Sequence, residues 1–292
     1  MQLISNDNAP FKICQLTDLH LDPYPFSITD QQTISMIEQL LEKEQFDLII
    51  ITGDLIWGKK YASLETTLKY LYRIFDKTKT PLAITYGNHD NEGSFSRRQI
   101  RSYESHIKYP ANKHQQYLVN DQENYTLEIF DEKSKQISHV IYVWDSGAYS
   151  NNEKVGLYSP IEVEQISWFN NLPYDNQVPR TDLGFLHIPI PEYTQAQNFI
   201  RDGQIGEPIG APEINSGLFY SLVKDNNFKA IFAGHDHDNN FVANYKGIDF
   251  VYGNISGFNT YGKIKRGYKE ISLYKDRVIS KNVSFDSVLN IN

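Results

Sequence analysis

The hydrophobic positions in the first ninety residues alternate between short apolar runs and a helical spacing. Runs rich in apolar residues predict buried strands, and apolar residues every three or four positions predict amphipathic helices. The strand pattern covers 11–17, 46–52 and 81–86, and the helical pattern covers 29–44 and about 63–77. Each of the first two strands is thus followed by a helix that leads to the next strand. Such crossovers predict parallel pairing of the three strands.

Beyond residue 90 the pattern becomes mixed. Regular alternation gives way to runs separated by polar turns, and a stretch rich in proline and glycine disfavours regular structure. We predict a helix over 94–107, a loop over 109–124, a hairpin of strands 125–130 and 139–144, a helix over 160–170, a strand over 183–187, a long loop over 189–212, a helix capped by Asn215 or Ser216 and ending near 224, a strand over 229–233, and an antiparallel meander from 241 onward.

Composition is compatible with one well-packed domain. The 292 residues are 40% hydrophobic and 13% aromatic, so we expect a single domain over 1–292 with short flexible ends at about 1–10 and 285–292. The formal charge of -8 repels polyanions, so no nucleic acid partner is expected. Nothing resembles a secretory leader or a membrane span, and the lone Cys14 cannot form an intrachain disulfide. The chain is therefore expected to be cytoplasmic, and its oligomeric state stays open.

Polar side chains come immediately after five of the predicted strands. Carboxylates, an amide and imidazoles occur where each apolar run ends, and five of the eight histidines are among them. Open α/β sheets place their sites at these strand ends. The pattern therefore predicts a shared metal centre, with seven candidate ligands: Asp18, His20, Asp54, Asn88, His187, His235 and His237.

Seven nitrogen and oxygen donors exceed the needs of one tetrahedral ion and include no thiolate. They predict two ions, divalent or trivalent, of Mn, Fe or Zn, since Ca and Mg prefer shells of oxygen alone. Asp54 is the natural bridge because a carboxylate has two oxygens. Two such ions can activate a bridging hydroxide and stabilise both oxygens of a displacement at phosphorus. Hydrolysis of a phosphomonoester or phosphodiester is the predicted reaction.

The order of these motifs resembles the calcineurin-like metallophosphoesterase superfamily. Five motifs carry the resemblance: Asp18-Leu19-His20, Gly53-Asp54, the run Gly87-Asn88-His89-Asp90, His187, and Gly234-His235-Asp236-His237. The longer runs around residues 87–93, 145–147, 187–192, 215–217 and 234–241 are similar to the purple acid phosphatase-like branch. Any one motif is weak, whereas five in order are specific. The resemblance covers the chain from about residue 12 to 273.

The resemblance implies a fold, a ligand assignment and a catalytic group. The fold would be a four-layer α/β/β/α sandwich with two mixed β-sheets. One ion would bind Asp18, His20 and His237, the other would bind Asn88, His187 and His235, and Asp54 would bind both. His89 would stabilise the phosphoryl transition state or protonate the leaving oxygen, with Asp90 orienting it.

Two positions depart from the purple enzymes of that branch. Trp57 stands where those enzymes carry a metal-bound tyrosine, and an indole nitrogen can only donate. His20 stands where they have a residue that does not bind metal, so the first site follows the broader superfamily. No purple iron–tyrosinate colour is expected, and acid phosphatase specificity does not carry over.

Several alternatives stay open at this point. The chain could be a scaffold that binds metal without catalysis, or a nucleotide or cyclic nucleotide phosphodiesterase rather than a phosphatase. The long loops at 94–124 and 189–215 are expected to decide the substrate. Arginines at 97, 98 and 101 could hold a substrate phosphate or lie on a solvated helix face.

Overall fold

Two mixed β-sheets packed face to face form the middle of the molecule, with helices on both outer faces. The computed structural model describes residues 1–6, 8–60 and 64–289. Its strands are β1 Leu3–Ser5, β2 Phe11–Leu16, β3 Leu48–Thr52, β4 Leu82–Thr85, β5 Lys113–Val119, β6 Gln122–Asp131, β7 Ile137–Val143, β8 Asp182–Phe185, β9 Ile200–Asp202, β10 Phe228–Ala233, β11 Val242–Tyr245, β12 Ile248–Tyr252, β13 Gly267–Leu273 and β14 Val278–Ser284. Its α-helices are α1 Ile28–Lys43, α2 Glu65–Asp76, α3 Arg97–Ser102, α4 Val163–Asn170, α5 Tyr193–Ala196, α6 Leu218–Lys224 and α7 Phe285–Leu289.

The strands form two sheets of different size. Sheet I has the order β1-β6-β7-β8-β10-β12-β11-β9, and β5 also pairs with β6. Sheet II has the order β14-β13-β2-β3-β4. The pairs β2–β3 and β3–β4 are parallel, as the crossover helices predict, and so is the pair β8–β10. The predicted fold class, with two mixed sheets in a four-layer sandwich, is confirmed.

Apolar side chains fill all three interfaces between the layers. The sheets meet through residues such as Ile13, Ile50 and Phe232, all fully buried. Helices α1 and α2 cover the outer face of sheet II, and α4 to α6 cover that of sheet I. Because both faces of each central strand are covered, these strands read as continuous apolar runs in the sequence.

Three stretches differ from the sequence prediction. The predicted loop at 109–124 contains β5, an edge strand whose mostly polar, half-exposed side chains carry no apolar pattern. The predicted loop at 189–212 contains α5 and β9. The predicted meander after 241 is wrong, because β11–β12 belongs to sheet I whereas β13–β14 belongs to sheet II.

Smaller differences concern element ends. Helix α6 begins after Gly217, and Asn215 accepts a hydrogen bond from the amide of Gly217 instead of capping the helix directly. Within the described residues, the stretches predicted to be flexible contain regular elements, since β1 pairs with β6 and α7 follows β14; residues 7 and 290–292 lie outside the described part of the chain. The predicted start of the second helix near 63 lies outside the described residues. None of the described helices combines the length and the apolar character that a bilayer crossing requires.

Candidate metal centre

Five strand ends converge on one cleft between the sheets. On sheet II, Asp18, Asp54 and Asn88 follow β2, β3 and β4 by two or three residues. On sheet I, His187 and His235 follow β8 and β10 by two residues. All five side chains are buried. The carboxyl ends of parallel strands thus bring donors from distant parts of the sequence to one edge.

The backbone that carries four of the predicted ligands is left-handed. The φ angles are 56° at Asp18, 47° at His20, 51° at Asp54 and 80° at His235. Residues other than glycine rarely adopt this region, at a cost of order 1–3 kcal/mol each. The turn before Asp54 needs a glycine as well, because a Cβ at Gly53 would lie 2.4 Å from His187 Nδ1. Strain concentrated on residues that share a cleft is typical of functional sites.

The first group of donors consists of Asp18, His20 and His237. The two imidazole Nε2 atoms lie 3.1 Å apart. Asp18 Oδ1 lies 3.5 Å from His237 Nε2 and 3.9 Å from His20 Nε2. All three donors are therefore directed at one small volume, as the ligands of a single ion would be.

The second group consists of Asp54, His187 and His235, with Asn88 beside it. His187 Nε2 lies 3.2 Å from Asp54 Oδ2 and 3.2 Å from Asn88 Oδ1. The ring of His235 stands 5.2 Å from the ring of His187, at 77° to it. The three acid and imidazole donors lie within 4.8 Å of one another.

Asp54 connects the two groups. Its Oδ2 atom also lies 3.6 Å from His20 Nε2, which belongs to the first group. The other oxygen, Oδ1, accepts a hydrogen bond from the backbone amide of His89 at 2.8 Å. The structure thus brings all seven predicted ligands into one cleft, with Asp54 between the two groups.

The donors fit two metal ions. Two donors on a tetrahedral ion with bonds of about 2.1 Å lie about 3.4 Å apart. The separations of 3.1–3.9 Å in the first group bracket that value. Asp18 Oδ1 is buried without a hydrogen-bond donor, which is costly for a carboxylate unless a cation is near. Nitrogen and oxygen donors without thiolates match Mn, Fe and Zn.

Hydrogen bonds from the opposite ring nitrogens orient two of the imidazoles. His187 Nδ1 lies 2.8 Å from the carbonyl oxygen of Thr52, and His237 Nδ1 lies 3.2 Å from that of Tyr261. A carbonyl can only accept, so each Nδ1 carries a proton and Nε2 is the nitrogen left to bind an ion. This arrangement is usual for metal-binding histidines.

The electrostatics of the cleft keep two of the imidazoles neutral and place a proton between His187 and Asp54. Burial lowers the pKa of both His20 and His235 to about 3, so both imidazoles are neutral. Burial would also lower the pKa of His187, but Asp54 outweighs it and raises that pKa to about 9. Burial would raise the pKa of Asp54, but His187 and His20 hold it well below its ordinary value. Metal binding would therefore release the proton that His187 and Asp54 share.

Asp90 does not orient His89, and that prediction is wrong. Its Oδ1 accepts hydrogen bonds from the amides of Leu55 and Ile56, and its Oδ2 from those of Asp54 and Gly87. Four converging amides draw the carboxylate toward the ligand turns and away from the imidazole. Burial, followed by the charge of Asp54, raises the pKa of Asp90 to about 7. Asp90 therefore stabilises the turns that carry the ligands.

The imidazole of His89 lies at the edge of both groups. Its ring is 5.2 Å from the ring of His20 and 4.7 Å from that of Trp57. Its Nδ1 lies 2.8 Å from a carboxylate oxygen of Glu92, a residue for which the sequence analysis predicted no role. With 22% of its side chain exposed, His89 can reach a molecule in the cleft.

Aromatic side chains surround the donors. Trp57 packs on His20 with ring centroids 4.1 Å apart, and its indole donates to the carbonyl of Asn259. Tyr261 stacks on His237, and Tyr158 stands edge-on to His235. The hydroxyl of Tyr149 accepts from Asn88 Nδ2 at 3.0 Å. Sequence reasoning missed Tyr149 and Tyr158, because an aromatic residue in a loop carries no positional signal.

Arg97 is buried next to the cleft, and its guanidinium group binds backbone carbonyls instead of facing the cleft. Its Nη1 and Nη2 donate to the carbonyls of Gly87 and Gly147, both at 2.7 Å, and its Nε lies 3.4 Å from Asp145. Neither predicted alternative, a phosphate contact or a solvated face, holds for this buried side chain. Arg101 pairs with Asp121.

The substitution Arg97→Ala is expected to lower the free energy of unfolding by about 3–5 kcal/mol, because it leaves Asp145 buried without its cation. Arg97→Lys should recover only part of this loss, since an ammonium cannot reach both carbonyls and the carboxylate. Urea denaturation measures both changes. Arg98→Ala, at an exposed neighbouring position, is the control and should change stability by less than about 0.5 kcal/mol. An unchanged midpoint for Arg97→Ala would contradict this role.

Comparison with known proteins places this site in a family. The profile of the family described as calcineurin-like phosphoesterase matches residues 11–239. The chain is 28% identical over 291 residues to the Arabidopsis thaliana protein named "Probable inactive purple acid phosphatase 29", covering 88% of this chain and 74% of the relative. It is 30% identical over 267 residues to the protein named "Phosphatase DCR2" of Saccharomyces cerevisiae, covering 82% of this chain and 46% of that protein.

Solved structures agree with this placement at the level of the fold. A dimetal phosphatase from Danio rerio superposes with a TM-score of 0.68 at 13% identity, covering 95% of this chain and 97% of that one. At such low identity the likeness shows the fold alone. The family profile, in contrast, spans all seven donors of the cleft together with His89. This chain belongs to the calcineurin-like phosphoesterase family.

Proposed function

We propose that this chain is a dinuclear metal-dependent phosphoesterase that hydrolyses a phosphomonoester or a phosphodiester. The observation that supports this most is the position of Asp54, whose Oδ2 lies 3.2 Å from His187 Nε2 and 3.6 Å from His20 Nε2. One carboxylate is therefore shared by two groups of donors. When bound there, two ions of Mn, Fe or Zn would activate water as the nucleophile and neutralise charge on the phosphoryl oxygens.

His89 and Asn88 have separate roles in the proposed reaction. As the oxygen of water forms its bond to phosphorus, the bond between phosphorus and the leaving oxygen breaks. His89, with a proton on each ring nitrogen, gives the leaving oxygen the proton on Nε2 and keeps the one on Nδ1, which faces Glu92, while the attacking water loses a proton to solvent. Asn88 orients its amide oxygen toward His187, because its nitrogen donates to Tyr149.

The alternatives within this cleft are a phosphodiesterase for nucleotides and a scaffold without activity. Tyr149 and Tyr261 are 38% and 57% exposed beside the donors, and such aromatic faces could stack against a nucleobase. The scaffold draws support from the word "inactive" in the names of plant relatives. Loss of a donor would favour the scaffold, but all seven donors and His89 are present in this chain.

A panel of esters tests the proposal. Purified protein loaded with Mn²⁺, Fe²⁺ or Zn²⁺ is assayed with p-nitrophenyl phosphate, with bis(p-nitrophenyl) phosphate, and with linear and cyclic nucleotides. We expect turnover of at least one ester, with metal bound at two ions per chain. The relative rates on monoester, diester and nucleotide separate phosphatase from phosphodiesterase. Two bound ions with no turnover of any ester would reject the enzyme in favour of the scaffold.

A further inference from the structure

We propose that Glu92 is the positioning residue that holds the imidazole of His89 with Nε2 toward the cleft. This inference rests on the proposed phosphoesterase function and adds to it a residue with no role assigned from the sequence. It replaces Asp90, whose carboxylate is occupied by four backbone amides.

The contact between Glu92 and His89 is short and sheltered. Glu92 Oε2 lies 2.8 Å from His89 Nδ1, and only 4% of the Glu92 side chain is exposed. The ring N–H is not yet aligned on that oxygen. Such misalignment is common for catalytic hydrogen bonds before substrate binds. Glu92 reaches this position because the turn brings its amide back to the carbonyl of His89 at 3.3 Å.

The second oxygen of Glu92 contacts a cation. This oxygen, Oε1, lies 3.1 Å from the ammonium of Lys59, whose side chain is 71% exposed. Among residues 1–6, 8–60 and 64–289, Glu92 is the one carboxylate within ion-pair distance of His89. A carboxylate can only accept, so it selects the form of His89 that carries a proton on Nδ1. Nε2 is then the nitrogen that faces a substrate.

Neighbouring rings limit how else His89 can be held. Trp57 packs edge-to-face against it at 4.7 Å, and His20 lies 5.2 Å away on a second side. These contacts confine the ring without distinguishing its two nitrogens. The polar partner of Nδ1 therefore decides which nitrogen points into the cleft.

The first test reads the tautomer of His89 directly and needs no turnover. Nitrogen-15 NMR of the metal-free protein, with His89 assigned from His89→Ala, should show the proton on Nδ1 in the wild type. Glu92→Ala should remove this preference, whereas Glu92→Gln should keep part of it, since the amide oxygen still accepts. Glu164→Gln, at an exposed acid on α4, is the matched control and should change nothing. A neutral wild-type ring with its proton on Nε2 and none on Nδ1, or no change in Glu92→Ala, would overturn the proposal.

The second test compares leaving groups. Glu92→Ala should lower kcat roughly 10-fold on p-nitrophenyl phosphate and roughly 100-fold on an alkyl phosphate, with little change in KM. The loss should grow with leaving-group pKa, because a poor leaving oxygen depends more on the donated proton. In a His89→Ala background, Glu92→Ala should cost nothing further. If Glu92→Ala lowered kcat equally on every ester, or if the effects of Glu92→Ala and His89→Ala were fully additive, Glu92 would have only a structural role.

The two tests separate the failure of this inference from that of the proposed function. If the wild type binds two ions but hydrolyses no ester, the phosphoesterase proposal fails, and NMR still decides whether Glu92 sets the tautomer. If the wild type is active but its tautomer does not respond to Glu92→Ala, the function stands and this inference fails. Thermal melting shows whether each variant is folded. If Glu92→Ala does not fold, Glu92→Gln replaces it in both tests.

Discussion

The substitution Asp54→Asn is expected to reduce turnover by roughly 10³-fold or more, since it acts on both ions at once. The amide keeps the shape of the side chain and can still accept from the amide of His89, as Oδ1 does at 2.8 Å. It loses the charge, however, and one of its two positions becomes an NH₂ group. That group would face either the imidazole nitrogens, 3.2 and 3.6 Å away, or the ions themselves.

Metal content tests this prediction independently of catalysis. Elemental analysis of the loaded protein should show two ions per chain in the wild type and fewer than two in Asp54→Asn. The control is Asp249→Asn, a partly buried acid that pairs with Arg201. Asp249 lies opposite Ala230, five residues before His235, so it is remote from the strand ends that carry the donors. An active Asp54→Asn variant with two ions would remove the shared carboxylate from the proposal.

The central fold could be predicted from the sequence because burial leaves a local pattern. Strands β2, β3 and β4 are covered on both faces and read as apolar runs, and α1 shows its buried stripe at helical spacing. Strand β5 has no such pattern, since its bonds to β6 are made by backbone while its side chains face water. Strand pairing between distant parts of the chain could not be predicted either. Strand β13 pairs with β2, which lies some 250 residues earlier, and a local hydrophobic pattern does not indicate which strands pair.

The same division applies to the site. Polar residues directly after buried strands pointed to all seven donors, because strand ends are fixed by the pattern that predicts the strands. The orientation of side chains within the turns was not predictable. Asp90 and Glu92 are two residues apart, yet one faces four amides and the other faces His89. Which acid contacts the imidazole depends on the path of the turn, and sequence spacing does not give that path.

The substitution His89→Ala is expected to lower kcat roughly 10²–10⁴-fold while leaving both ions bound, which is the range that proton donation contributes. Its side chain belongs to neither group of donors: Nδ1 faces Glu92, and the ring stands 5.2 Å from that of His20. Removing it therefore takes away a proton donor and no ligand. The loss should be larger for esters with poor leaving groups.

Added imidazole should restore part of the activity of His89→Ala. The native ring is 22% exposed, so a free imidazole can enter the space it vacates, between Trp57 and Glu92. The matched control is His106→Ala, a half-exposed histidine near Glu65 outside the cleft, which should keep both ions and full activity. Loss of metal in His89→Ala would identify His89 as a ligand instead of a proton donor. Full activity with both ions bound would remove it from the mechanism, and the role of Glu92 in catalysis would fall with it.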